Sequence, residues 1–304
     1  MRGGLAYFGN DASSNYNSLQ LKVEKRFSNG FQFIAHYTYS HSNAFDQNYY
    51  DVNPKIAYGP DQYNRDQVFL VTSVYELPFG KGKRFMSNAS RGLDYVIGGW
   101  QVSNTLTWSS GLPWTATIGE CGEIADVHTG STDVVCRPNL VSGQSLNLGP
   151  HPVTTGCATG GECGLYYFSP MPALAYPASE LVPANAGVNS CSFARPVSGG
   201  FALPACGTIG NAGFDTFTGP RAFFSDLSLS KNFRITERIT AQFRFDAYNV
   251  FNHPVLGFNS NQGNTCVDCS SNPDAGRIDN IEGDASPGSP IGMRQLQFGL
   301  RVKF

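Results

Sequence analysis

The chain has 304 residues, a formal net charge of −2 and 14% charged side chains, well under the ~25% usual for soluble domains. That balance points to neither nucleic acid nor an anionic surface as partner. Aromatics reach 13%, with 22 Phe and 14 Tyr, beside 34 Gly and 18 Pro, a mixture that disfavours helices. No apolar run approaches the ~18 residues of a membrane helix, and the first residues, MRGGLAYFGNDASSN, turn polar too soon for a signal peptide.

Period-2 alternation is the dominant pattern. In 17–27, NSLQLKVEKRF, it places Leu19, Leu21, Val23 and Phe27 on one face and Ser18, Gln20, Lys22, Glu24 and Arg26 on the other. The turn Ser28-Asn29-Gly30 leads into 31–41, where Phe31, Phe33, Ala35, Tyr37 and Tyr39 alternate with Gln32, His36, Thr38 and Ser40. A polar loop follows Phe45. Strands are predicted next at 67–77 and 99–109, joined through Pro78-Phe79-Gly80-Lys81-Gly82-Lys83 and a short linker. A long irregular stretch, 111–220, comes next. A tight hairpin, 223–233 and 239–251, precedes a loop of about forty residues, and the last strand is 294–304.

Seven strands of this length exceed the usual mode of about 5–6 residues. Strands of ~9–11 residues suit a bilayer, and short turns alternating with long loops describe a transmembrane β-barrel. The expected fold is therefore all-β, an antiparallel transmembrane barrel segment with long, disulfide-stapled extracellular loops. The second face carries Asp226, Arg244, Asp246, Arg301 and Lys303, as a watery lumen would want. Trp100 and Trp108 share the other face, about 20 Å apart along the membrane normal, which suits two interfacial aromatic girdles. A secreted β-sandwich is the soluble rival, and it would be soluble without detergent.

The cysteines, Cys121, Cys136, Cys157, Cys163, Cys191, Cys206, Cys266 and Cys269, fall in sequential pairs within Gly/Pro-rich loops. Neighbour pairing would staple each loop, at about 3 kcal/mol for ~15 residues, although eight cysteines allow 105 connectivities. A zinc or redox site at Cys266-Val-Asp-Cys269 lacks a second ligand pair. Cysteines of this exported type without an export signal lead to the expectation that the chain is the C-terminal part of a longer protein. The five histidines, His36, His41, His128, His151 and His253, form no ligand spacing. Asp274, Asp279, Glu282 and Asp284 do not match a calcium loop. No nucleophile motif or phosphate loop occurs. The expectation is no enzyme, no cofactor and no metal.

Several segments resemble TonB-dependent receptors, closest to the large Oar-like type: NYNSLQLKVEKRFSNGFQFIAHYTYSHS (15–42), YELPFGKGKRF (75–85), GGWQVSNTLTWSSGLPWT (98–115), FTGPRAFFSDLSLSKNFRITERITAQFRFDAYNVFNHP (217–254) and RQLQFGLRVKF (294–304). The resemblance covers both ends and thins out in the cysteine-rich loop. It implies a 22-stranded outer-membrane barrel enclosing an N-terminal plug, a TonB box engaging the inner-membrane TonB complex, and import of an unidentified small ligand. The chain carries seven strands and neither plug nor TonB box, so residues 1–304 are expected to be the C-terminal barrel part, inactive in transport alone. The C-terminal alternation, with Leu300, Val302 and Phe304, resembles the sorting signal read by the barrel-insertion machinery. The resemblance implies residence in the bacterial outer membrane, in contact with its lipid. Asp226, Arg244, Asp246 and Arg301 are the lumen-facing candidates for ligand contact. The alternative function is surface binding or adhesion by a barrel that moves nothing.

Overall fold

A computed structural model describes residues 13–45, 54–118, 137–146, 148–153, 164–168, 196–198, 200–202, 204, 209–236, 238–258, 265–267, 276–280 and 294–304. Seven long strands run through it: β1 (Asn15–Ser28), β2 (Phe31–Phe45), β3 (Gln67–Glu76), β4 (Trp100–Ser109), β5 (Ala222–Arg234), β6 (Thr240–Tyr248) and β7 (Gln295–Lys303). They pair antiparallel in chain order into one sheet, with the short strand Tyr58–Pro60 added to the end of β2. β1 and β7 lie at opposite ends of this path and do not pair with each other, so the sheet is not a closed barrel.

The register carries the alternation across every strand. Tyr37 stands opposite Phe69, Phe69 opposite Trp108, and Trp108 opposite Phe223. Toward the other end, Val102 faces Leu229, Leu229 faces Phe245, and Phe245 faces Phe298. One sheet surface is thus predominantly apolar. Much of it is bare: Leu19, Leu21 and Val23 are more than half exposed, and Leu300 is 72% exposed. Water tolerates contiguous apolar patches of only roughly a few hundred Å², so this face needs an apolar solvent.

The sheet has two unlike ends. At the turn end, β1 and β2 are joined by Asn29 (φ 54°) and Gly30 (φ 77°), the left-handed pair that a two-residue hairpin loop demands. β5 and β6 are joined by a turn in which the Thr236 hydroxyl accepts from the Ile239 amide at 3.1 Å. The third turn-end connection, expected to be a short linker, contains helix α1 (Arg91–Ile97). Ser90 caps it by accepting from the Leu93 amide, and Gly99 (φ 72°) returns the chain to β4, passing so near the Asn232 carbonyl that a Cβ would lie 2.7 Å from it.

At the loop end, the stretch expected to be irregular has structure of its own. Pro113–Trp114 pairs with Phe217–Thr218, and Asn139–Leu140 pairs with Phe201–Ala202. His151–Val153 pairs with Gly164–Tyr166. The last loop contributes Leu256–Phe258 paired with Ile278–Asn280. The reason lies in composition: these loops supply the buried cluster of Trp114, Tyr167, Phe168, Phe201, Phe217 and Ile278.

Two local expectations need correcting, and one strand departs from the pattern. The register shifts between Lys25 and Ser28, and this bulge takes Phe27 out of the alternation. Lys25 instead pairs with Phe33 on the apolar side, its ammonium 4.9 Å from the Phe31 ring centre. β6 ends at Tyr248 rather than at 251, because Asn249 turns left-handed (φ 45°). β3 is apolar on both faces, with Val68, Leu70 and Val74 on the side that elsewhere is polar.

Candidate functional site: the polar face and the loop-end cap

The polar face is built by the same register. Thr105 stands between Thr72 and Asp226, and Ser228 between Ser103 and Asp246, with Gln297 beyond. Ser230 pairs with Arg244, and Gln242 with Arg301. The four candidate residues therefore share one surface. Arg244 Nε donates to Asp246 Oδ1 at 2.7 Å and to the Ser228 hydroxyl at 3.2 Å. Asp226 is occupied elsewhere, accepting from the Asn249 amide at 3.0 Å where the chain leaves β6. Gln242 donates to Asn232 at 3.1 Å. Ser73 and Asn104 share a hydrogen bond on the opposite face, inside the apolar surface. The polar surface is thus a wall of hydroxyls, amides and ion pairs, Arg244–Asp246 and Lys22–Glu24 among them, suited to lining a hydrated channel.

Above the loop end sits a cap, which sequence reasoning missed. Trp114 is its centre: its ring lies 5.6 Å from Phe168, nearly parallel, 5.0 Å from Phe217 and 5.1 Å from Phe258. Backbone bonds tie the last loop into this core. The Thr117 amide donates to the Thr265 carbonyl at 3.0 Å, the Val267 amide to the Thr117 carbonyl at 2.8 Å, and the Tyr167 amide to the Gly276 carbonyl at 2.7 Å. Among the described residues, most polar groups inside it are paired, while the buried Trp114 Nε1 is without a partner. The Thr115 hydroxyl donates to Asp215 at 2.7 Å and accepts from the Asp215 amide at 2.8 Å. Arg137 is buried nearby; burial lowers its pKa and the Asp215 charge opposes that. The Tyr167 hydroxyl donates to the Thr218 carbonyl at 2.6 Å, and burial raises its pKa against the opposing charge of Arg221.

Arg65 clamps the segment after Tyr58–Pro60 onto the sheet. Its guanidinium donates to the Ser109 hydroxyl at 2.9 Å and the Ser110 carbonyl at 2.6 Å, and burial lowers its pKa. Between this segment and the cap lies a cavity of about 170 Å³ lined by Phe45, Asp61, Tyr63, Phe214 and Asp215. Tyr63 is 78% exposed at its mouth. Both carboxylates in its lining are engaged, Asp61 by the Tyr63 amide at 2.8 Å and Asp215 by the Thr115 hydroxyl at 2.7 Å.

Of the cysteines, Cys266 alone lies among the described residues. It is buried, its backbone forms a parallel β-bridge with Thr117 in the cap, and it carries no free thiol. Cys121, Cys136, Cys157, Cys163, Cys191, Cys206 and Cys269 lie outside the described residues, as do Asp274, Glu282 and Asp284. Leu300, Val302 and Phe304 sit on the edge strand β7, paired on one side with β6, and at its end, Phe304 being 95% exposed. Among the described residues no helix is long and apolar enough to cross a membrane, which says nothing of strands.

The family model described as outer membrane beta barrel domain matches residues 2–297. The chain belongs to that family. It is an outer-membrane β-barrel domain, resident in the bacterial outer membrane. No curated protein and no solved structure matches it. In an outer-membrane β-barrel domain, a bare apolar face suits lipid and a face such as that of Arg244 and Asp246 suits the hydrated interior. The aromatic row Tyr37, Phe69, Trp108 and Phe223 then stands as an interfacial girdle at the loop end. Signals of the cap were present in the sequence: a Trp and five Phe or Tyr within segments taken for loops exceed what an exposed loop would carry.

Proposed function

We propose that this domain forms part of the barrel wall of a TonB-dependent receptor and serves ligand uptake, with the cap helping to capture the ligand at the cell surface. The observation that supports this most is the pairing of an inner wall of fixed polar groups with a packed cap above it. A cap with its own aromatic core holds the cavity beside Phe45 and Tyr63 in a defined shape at the loop end. The sheet's two unpaired edges fit a wall completed by further strands, since lipid does not tolerate open edges. The resemblance of five segments to Oar-like receptors supplies the rest. Energy would come through a TonB-coupled plug outside residues 1–304. The domain itself performs no catalysis in this reading.

The test is depletion of small molecules from the growth medium by cells carrying the parent gene. Uptake that needs both that gene and the proton-motive force supports the proposal. Depletion unchanged by a proton uncoupler, or by deletion of the gene, would refute it.

A further inference from the structure

We propose that the cleft between α1 and the turn end of β5 binds the phosphate headgroup of a membrane phospholipid. Lys231 lies toward the turn end of β5. Its register neighbours are Trp100 and Phe243, both on the lipid face, yet it is 4% exposed. Its ammonium donates to the carbonyls of Val96 at 3.0 Å and Gly98 at 2.5 Å and lies 4.7 Å from the Trp100 ring centre. Trp100 Nε1 donates to the same Val96 carbonyl at 2.9 Å. These bonds occupy the carbonyls of Val96 in the last turn of α1 and of its C-cap Gly98, and hold the helix against the lipid side of the wall.

α1 buries none of its residues in protein. Leu93 and Tyr95 are 40% exposed and Val96 is 66% exposed. A helix of seven residues has little stability of its own, and one showing Leu, Tyr and Val at a membrane rim gains its apolar contact from the interface. Beside it opens a cleft of about 900 Å³, with Lys81, Arg91 and Asp94 on one side and Phe233, Ile235 and Thr236 on the other. The Asp94 carboxylate is engaged by the Lys81 amide at 2.6 Å. Lys83, by contrast, pairs outside the cleft with Glu76 at 2.9 Å. Two cations beside the amide-bound Asp94, across from an apolar wall at the rim of the lipid face, fit a phosphodiester with its glycerol and first methylenes against Phe233. The whole-chain charge of −2 conceals this local patch. A free phosphate would satisfy the cations and leave the apolar wall bare, so the lipid is the ligand.

The experiment uses the outer-membrane protein containing this domain, purified in detergent and exchanged into nanodiscs of phosphatidylcholine with or without phosphatidylglycerol. Native mass spectrometry on release reads the retained lipid. The expected result is retention of phosphatidylglycerol over phosphatidylcholine, reduced at least tenfold in the Lys81→Glu/Arg91→Glu variant. The same charge reversal outside the cleft, Arg84→Glu, should leave retention unchanged, and heat-modifiable gel mobility checks that each variant is folded. Equal retention by wild type and the double variant would overturn the proposal. Displacement of the lipid by millimolar inorganic phosphate would also overturn it, as the site would then be one for free anions.

Discussion

Trp114 and Phe258 meet with their ring centres 5.1 Å apart and planes tilted by 55°, and this contact joins the two longest loops of the domain. Trp114 is 5% exposed and also touches Tyr167, Phe168 and Phe217. Trp114→Ala should remove about 3–5 kcal/mol from the local stability of the cap. Hydrogen exchange at the Thr117 and Val267 amides should accelerate accordingly while the β4–β5 amides stay protected. Unchanged exchange at Val267 would mean that the loops are held by something other than this core.

Gly276 makes a second, independent test of the docking. It has φ 75°, and a Cβ there would lie 2.6 Å from the Phe168 carbonyl. Backbone cannot move aside as a flexible side chain can, and an L-residue disfavours that φ. Gly276→Ala is expected to weaken the Tyr167–Gly276 bond and expose the last loop to protease. Cleavage rates equal to those of the wild type would count against the close packing of these two segments.

The facing assignment makes a quantitative prediction in the membrane. Phe245 and Phe298 are register partners on the apolar face, their rings 5.0 Å apart, and Leu300 lies two residues on. Leu300→Arg and Phe245→Arg should each cost about 2–4 kcal/mol near the midplane. Gln297→Arg, opposite Asp246 on the inner face, should cost little. Folding titrations into liposomes measure this, and equal costs for all three would invert or abolish the assignment.

The Arg244–Asp246 pair should be structural and modest. Arg244 is 56% exposed and Asp246 only 13%, so solvent screens the charge on one side. A double-mutant cycle with Arg244→Ala and Asp246→Ala should give a coupling of about 0.5–1 kcal/mol that shrinks as salt rises. A coupling near zero at low salt would show that the 2.7 Å contact does not persist in the hydrated wall.

The sequence by itself determined the lateral order of the wall. Alternation at period 2 decides which side chains share a face, and antiparallel neighbours in chain order need only short turns, so Leu300, Phe245 and Trp108 could be placed on one surface without coordinates. Turn chemistry was equally local: Asn29-Gly30 announces its own geometry. Tertiary structure decided whatever depends on contacts between distant segments. No periodicity marks Trp114, Phe168, Phe258 and Ile278 as one core, because short strands of two or three residues carry too little pattern to read. Lys231 followed the alternation onto the lipid face, and only the fold shows that the carbonyls at the end of α1 receive it there. The bulge after Lys25 escaped for the same reason: one extra residue inverts the alternation, and whether a strand takes it in is settled by its partner across the ladder.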